Sequence, residues 1–221
     1  QETFGKTLKN IRWTAEFVVS REMVDDSLVM DFKDKPQGFI DGFYDTREDY
    51  AAAVIGNALM GKSSFEYYGQ HCDITGADGL SIFHAEHPSV LNSRNVQSNV
   101  CSNPLTVEAL DLVETAHQNL RDDNMKSLSI APMTLVIPNT AKAKRMAFAA
   151  AGSERDPLTP NNAFNYQVGR WNILVWQKLN DYVEIDGENF PWFTLDEVYN
   201  QRFSTAIFQD RSDLEIKSHV D

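Results

Sequence analysis

The residues with chemical potential gather in one short stretch, Gly76-Ala77-Asp78-Gly79-Leu80-Ser81-Ile82-Phe83-His84-Ala85-Glu86-His87-Pro88. His84 and His87 flank Glu86, and His71 and Cys72 lie upstream, so the nitrogen, sulfur and carboxylate ligands of a zinc site are all present. The spacing argues against one. The helical zinc-hydrolase motif sets its histidines four apart, with Glu directly after the first. Here they are three apart, and Pro88 stops a helix from continuing. A zinc deaminase also needs a Pro-Cys-x-x-Cys partner, which the sequence does not contain. The expectation is histidines bonded to the backbone of a shaped loop, with no metal site and no cofactor.

Other chemistries fare no better. Gly56, Gly61, Lys62 and Ser63 match the literal spacing of a phosphate loop, but that motif must follow a strand and open a helix. Here the segment closes a helix. No Gly-x-Ser-x-Gly elbow exists, and neither Cys72 nor Cys101, both read as lying in polar loops, has a partner that sequence can name. Glu22-Met23-Val24-Asp25-Asp26 reads as a solvated turn or helix start, where acidic residues favour the helix dipole. It offers too few oxygen ligands for calcium. No catalytic residue is assigned, and the chain is expected not to be an enzyme.

Composition narrows the class. The chain has 221 residues, enough for one large domain or two small ones, and 42% are hydrophobic. Acidic residues number 32 against 20 basic, for a net charge of -12. That excess repels phosphate and argues against sequence-specific nucleic-acid binding. No apolar run reaches the length of a membrane span, and no signal-peptide pattern opens the sequence. Two cysteines form no disulfide framework, which suits a reducing cytosol. A start at Gln1 rather than Met leads to the expectation of a processed or trimmed N-terminus.

Several elements must position whatever function exists. Residues 7–20 alternate, with Ile11, Trp13, Ala15, Phe17 and Val19 on one face, which predicts a long half-buried strand. Asp45-Thr46-Arg47-Glu48 has capping-box spacing. Tyr50, Val54 and Ala58 continue it as a helical stripe that Gly61 can close. A second helix starts at Thr106, with Leu105 and Leu110 as a hydrophobic staple and a stripe through Val113, Ala116 or His117, and Leu120. A third runs from about Thr140 to Ala151, with Gly152 terminating it. Strands are expected at Met133–Ile137, at Ile173–Trp176 (too uniformly apolar for a surface strand), and at 192–195, 203–208 and 214–220. Residues 153–169 read as a long surface loop. The mixture is α+β without strict βαβ alternation.

Three strings taken together resemble a known family. Ala15-Glu16-Phe17-Val18-Val19-Ser20-Arg21-Glu22-Met23-Val24-Asp25-Asp26 is similar to the element that leaves the extended loop in tailed-phage major capsid proteins. Ala77–Pro88, followed by Ser98-Asn99, resembles the Asp-Gly, Leu-Phe, His-Pro, Ser-Asn signature of the Mu-like major head subunit group. Leu135-Val136-Ile137-Pro138 with its following helix, then Asn161-Asn162 and Trp192-Phe193, recur in the family's order. The resemblance covers nearly the whole chain. Two departures are the usual N-terminal arm ahead of Gln1 and the usual strand after Asp221, neither of which is in the sequence.

The resemblance implies the HK97-type capsid fold. Residues 1–44 would be the extended β-hairpin arm and its exit. Residues 45–104 would be a peripheral domain with its spine helix at Thr46–Met60, 105–200 an axial domain, and 201–221 a return to the peripheral domain. The implied function is a major head protein that assembles as pentamers and hexamers into an icosahedral shell around double-stranded DNA. A scaffold, a portal and a maturation protease would be its partners. It would reside in the host cytoplasm and then in the virion capsid. Trp13, Phe17 and Val19 would bury against an adjacent subunit. Some relatives lock subunits through a Lys–Asn isopeptide bond; Lys6, Lys9 and Asn10 lie in the arm, but the sequence assigns no crosslink to them. Two alternatives carry other expectations: an encapsulin-like compartment shell, and a metal-dependent hydrolase built on His84, Glu86 and His87.

Overall fold

The computed structural model describes residues 4–16, 18, 21–25, 29–155, 163–187, 189–203 and 209, with backbone alone for 23, 24 and 29–35. The elements form a mixed α+β protein. Helix α1 spans Arg21–Asp25, and its ends are tied by an Arg21–Asp25 ion pair at 3.6 Å. Helix α2 spans Val29–Leu59. Its 31 residues make it about 46 Å long at 1.5 Å per residue.

Two expectations for this region are corrected. The predicted start at Thr46 is not a start: the Thr46 hydroxyl donates back to the Gly42 carbonyl at 2.8 Å, a mid-helix bond rather than a cap. Nor do residues 7–16 form a strand, having no ladder partner among the described residues. Their alternation is real but is satisfied by packing: Ile11 and Trp13 turn inward while Arg12 and Thr14 stay exposed.

The end of α2 follows its sequence. Gly61 has φ +72°, its N–H donates to the Ala58 carbonyl at 2.9 Å, and the Lys62 N–H reaches the Asn57 carbonyl at 3.0 Å. These are the paired bonds of a Schellman cap, in which glycine tolerates the left-handed backbone. A hairpin follows, β1 (Ser64–Tyr67) with β2 (Gln70–Asp73). Its turn residues Tyr68 and Gly69 both have positive φ, the geometry of a two-residue primed turn. Cys72 is thus a buried strand residue, whereas the sequence suggested a polar loop. Two-residue strands β3 (His87–Pro88) and β4 (Val96–Gln97) pair within the next loop.

Helix α3 (Val107–Asn119) begins as expected: Thr106 accepts from the Ala109 N–H at 3.2 Å, and the staple residues Leu105 and Leu110 are buried. Strand β5 (Thr134–Pro138) is buried throughout. Helix α4 (Ala141–Gly152) is capped by Thr140, whose hydroxyl accepts from Ala143 N–H at 3.1 Å. Gly152 is its last residue rather than the residue past its end. Strand β6 (Asn172–Trp176), a 3-10 turn at Gln177–Asp181, strand β7 (Phe193–Leu195) and helix α5 (Glu197–Phe203) complete the described chain. Phe203 therefore ends a helix where a strand was expected; 204–208 and 214–220 lie outside the described residues.

The sheet order is β6-β5-β7, with β6 parallel and β7 antiparallel to β5. Strand β6 is an edge, and Leu174 is 49% exposed. Its uniform apolarity does not mean burial on both faces: only Ile173 and Val175 pack on the core. That core joins Leu105, Val107 and Leu110 to β5 and to an alanine face of α4 (Ala143, Ala147, Ala150, Ala151). Small side chains there let the helix lie close on the sheet. A separate cluster of Ala53, Tyr67 and Cys72, covered by Ile11, Trp13, Tyr50, Phe65 and Tyr182, fixes the hairpin and the N-terminal segment to α2.

Candidate functional site

The 76–99 loop holds the chemistry-bearing residues, and its own hydrogen bonds engage them. Gly76 N–H donates to Leu80 O at 2.6 Å and Gly79 N–H to Gly76 O at 3.1 Å, closing a tight turn. The Asp78 carboxylate accepts from the Leu80 N–H at 3.1 Å and meets His87 Nδ1 at 2.6 Å. Burial alone would raise this carboxyl, but the His87 and Leu80 bonds outweigh it and hold Asp78 below the usual carboxylate range. A Cβ on Gly76 would lie 2.7 Å from Asp78 Oδ1, so a side chain there would push the Asp78 carboxylate away from its present bonds.

His84 is used twice. Its backbone N–H donates to Asn99 Oδ1 at 2.8 Å, and its ring Nδ1 accepts from the Glu86 N–H at 3.0 Å. The neutral ring therefore carries its proton on Nε2, and the lone pair a metal would need is already engaged. His87 Nε2 is buried and has no hydrogen-bond partner. Asn99 Nδ2 donates to Ile82 O at 2.7 Å and Ser81 Oγ to Lys62 O at 2.9 Å, anchoring the loop to itself and to the end of α2.

His71 and Cys72 do not join this loop. They are consecutive on β2 and point to opposite faces: His71 is exposed and pairs with Glu66 at 3.0 Å, while Cys72 is buried beside Tyr50. Burial first, and then Cys72, push the Tyr50 phenol up to about 12. Among the described residues no group of three or more His, Cys, Asp or Glu could hold a metal ion. The phosphate-loop lookalike likewise has the wrong setting, since Gly56 lies inside α2 and Gly61 caps it.

Of the residues expected at a subunit interface, Trp13 packs on its own chain. Its ring lies 5.0 Å from Tyr50 and 6.0 Å from Tyr67, and its buried Nε1 has no acceptor. Phe17 and Val19 lie outside the described residues. Lys6 pins the same segment through Thr75 O at 2.6 Å, Thr75 Oγ1 at 2.9 Å and Asp73 at 3.1 Å. Thr75 first, and then Lys6, hold the Asp73 carboxyl at about 2. The apolar side chains this segment exposes are Phe4, Leu8 and Val18, the last two 74% and 75% exposed.

Sequence reasoning missed one polar site. Asp49 Oδ2 accepts from both Tyr67 OH at 2.8 Å and Tyr182 OH at 2.7 Å. Burial, and then the Asp49 bond, raise both phenols well above their ordinary value. One turn away Lys178 meets Asp45 at 2.6 Å, and Trp176 Nε1 donates to Glu48 at 3.2 Å. The only local signal was the acidic spacing Asp45, Glu48, Asp49, which also reads as a helix start. No protein-family model, curated protein or solved structure matches the chain.

Proposed function

We propose that this chain is a shell-forming structural protein: a major head subunit of the tailed-phage type with an HK97-type fold, closing as pentamers and hexamers around double-stranded DNA. The observation that carries the reading is the order of the family-like strings along the chain. They fall at α1, at the 77–88 loop, at β5 and at β7, with a long helix directly after the first. Two features support it. The N-terminal segment displays Leu8 and Val18 to the exterior, and the loop after α4 displays Phe164 and Tyr166, 75% and 61% exposed. Apolar side chains held outward at separate places suit contacts that repeat around rings and between them. Among the described residues no helix is long and apolar enough to cross a membrane.

The test is electron microscopy with sizing of the protein expressed alone and with its neighbouring genes. Closed shells or uniform rings are expected, with nucleic acid inside when packaging partners are present. Shells that enclose protein instead would favour the encapsulin-like role. A monomer or dimer under both conditions refutes the shell reading. Because Trp13 is part of its own chain's aromatic cluster, Trp13→Asp would damage the subunit itself. Leu8→Asp and Val18→Asp are the informative variants, expected to leave a folded subunit that does not assemble.

A further inference from the structure

Helices α3 and α4 share one core but divide the charge between them. Helix α3 carries Glu108, Asp111 and Glu114 and no lysine or arginine; α4 carries Lys142, Lys144 and Arg145 and no carboxylate. The charge on α4 opposes its own dipole, because all its cations stand near its N-terminal end, where cations are disfavoured. Part of the acidic set is used within the chain: Gln167 donates to Asp111, and Arg170 meets Glu114 at 2.6 Å. Glu108, Lys144 and Arg145 are exposed and form no ion pair among the described residues. The Lys144 ammonium donates only to the Asn139 side-chain oxygen, at 2.9 Å. Each helix also turns one large apolar side chain outward on the same stripe. Leu112 lies one turn after Glu108, and Phe148 one turn after Lys144, and both are more than half exposed. Each pair therefore stands about 6 Å apart along its helix, charge first and apolar group second.

We infer that these two faces meet between copies of the chain: the Glu108–Leu112 face of α3 in one copy seats on the Lys144–Arg145–Phe148 face of α4 in the next. With the two helices side by side and parallel, Glu108 stands opposite Lys144 and Leu112 opposite Phe148 in a single register. Arg145, beside Lys144, widens the cationic end. Opposite charge steers the faces together and fixes the register. The Leu112–Phe148 contact removes from water the apolar surface that each face exposes alone. An antiparallel arrangement would set each apolar group against an unpaired charge, so the pattern specifies direction as well as partner. Like faces repel, so the contact is heterologous: it runs head to tail and closes rings where the rotation allows. A second copy suits the α4 face better than nucleic acid does, because the chain itself supplies an acidic face with the same spacing, and its net charge of -12 repels phosphate. The inference rests on the shell reading, for which it names the contact that closes the pentamers and hexamers.

Charge swapping followed by native mass spectrometry tests it. Lys144→Glu with Arg145→Glu makes both faces acidic; Glu108→Lys with Thr115→Lys, both exposed on one stripe of α3, makes both basic. Each variant alone should remain monomeric at about ten times the concentration at which the parent forms rings. Mixed in equal amounts they should form rings again. Unlike copies must alternate in such a ring, so hexamers are expected and pentamers are not. Rings from either variant alone at the parent's concentration, or none from the mixture, overturn the proposal. Leu112→Ser and Phe148→Ser change no charge and should each raise the concentration needed for rings by about tenfold. Unchanged assembly in both overturns the proposal even where a swapped variant does not fold. The two readings fail differently: a parent that stays monomeric ends the shell reading and this contact with it, whereas parent rings indifferent to the swaps end the contact alone. If Lys144→Glu with Arg145→Glu assembles normally but loses binding to a DNA duplex that the parent binds, the α4 face serves nucleic acid and the proposal is overturned.

Discussion

Three glycines in one helix should respond to the same substitution with opposite signs. Gly38, Gly42 and Gly56 all lie inside α2. Replacing an interior helical glycine by alanine gains about 0.8–1 kcal/mol of helix propensity. At Gly38 and Gly42 an added Cβ meets nothing within 4 Å, so that gain should be realised in full. At Gly56 the Cβ would lie 2.5 Å from Tyr182 Cβ and 3.3 Å from its carbonyl oxygen, atoms that cannot rotate away. Overpacking of this kind costs about 1–3 kcal/mol, and pushing Tyr182 off the helix also breaks its bond to Asp49, about 1.5–3 kcal/mol for a bond to a charged group. The net for Gly56→Ala is a loss of about 1.5–5 kcal/mol. Urea unfolding followed by circular dichroism resolves this: at an m-value of about 2 kcal/mol per M, Gly42→Ala raises the midpoint by about 0.5 M and Gly56→Ala lowers it by at least about 0.7 M. A raised midpoint for Gly56→Ala would refute the close seating of Tyr182 on α2.

Two further predictions concern threonines and a histidine. Thr106→Ala and Thr140→Ala each remove a true N-cap and should cost about 1 kcal/mol, whereas Thr46→Ala removes only a mid-helix back-bond and should be neutral or slightly stabilising; equal losses at all three would mean that Thr46 caps a helix after all. His117 is held below the ordinary histidine value by burial, with Asp196 opposing, while its Nε2 meets Thr194 at 2.9 Å. A depressed histidine contributes stability that is whole above its unfolded pKa of about 6.5 and is lost as pH falls through the lowered folded value. His117→Gln should flatten that acid-side slope in pH-dependent unfolding, and an unchanged slope would place its origin elsewhere.

What was legible in the sequence was local. The caps at Thr106 and Thr140, the Leu105–Leu110 staple, the Gly61 closure and strand β5 each depend on residues within a few positions of one another. What was not legible depends on distance. The capping-box spacing of Asp45-Thr46-Arg47-Glu48 led to an expected start at Thr46, with Pro36, Gly38 and Gly42 ahead of the helix. In the fold the chain carries them within α2, and the hydroxyl that looked like a cap bonds the carbonyl one turn back. Residues 7–16 alternate as a strand does, yet packing of Ile11 and Trp13 against α2 satisfies that pattern without a ladder. Apolarity placed β6 inside, but strand order decides which strand is central, and no local rule specifies it. Asp49 has no sequence signature because its two phenols come from 18 and 133 residues away.

The histidine loop shows how an irregular segment can acquire the composition of a reaction centre. Between Gly76 and Asn99 only two short pairs of residues form a ladder, so most backbone groups there lack the partners that helices and sheets provide. Side chains stand in for them. Asp78 accepts the Leu80 N–H, His84 Nδ1 the Glu86 N–H, and Asn99 bonds both the His84 N–H and the Ile82 carbonyl. Residues able to do this (Asp, Asn, Ser and His) are the ones that also ligate metals and move protons, so composition alone does not separate the two uses. The separation lies in which atoms remain free. At His84 the Nδ1 lone pair accepts the Glu86 N–H, and Asp78 holds the Nδ1 of His87, which leaves His87 Nε2 as a buried ring nitrogen without a partner; among the described residues no three ligating side chains converge on it.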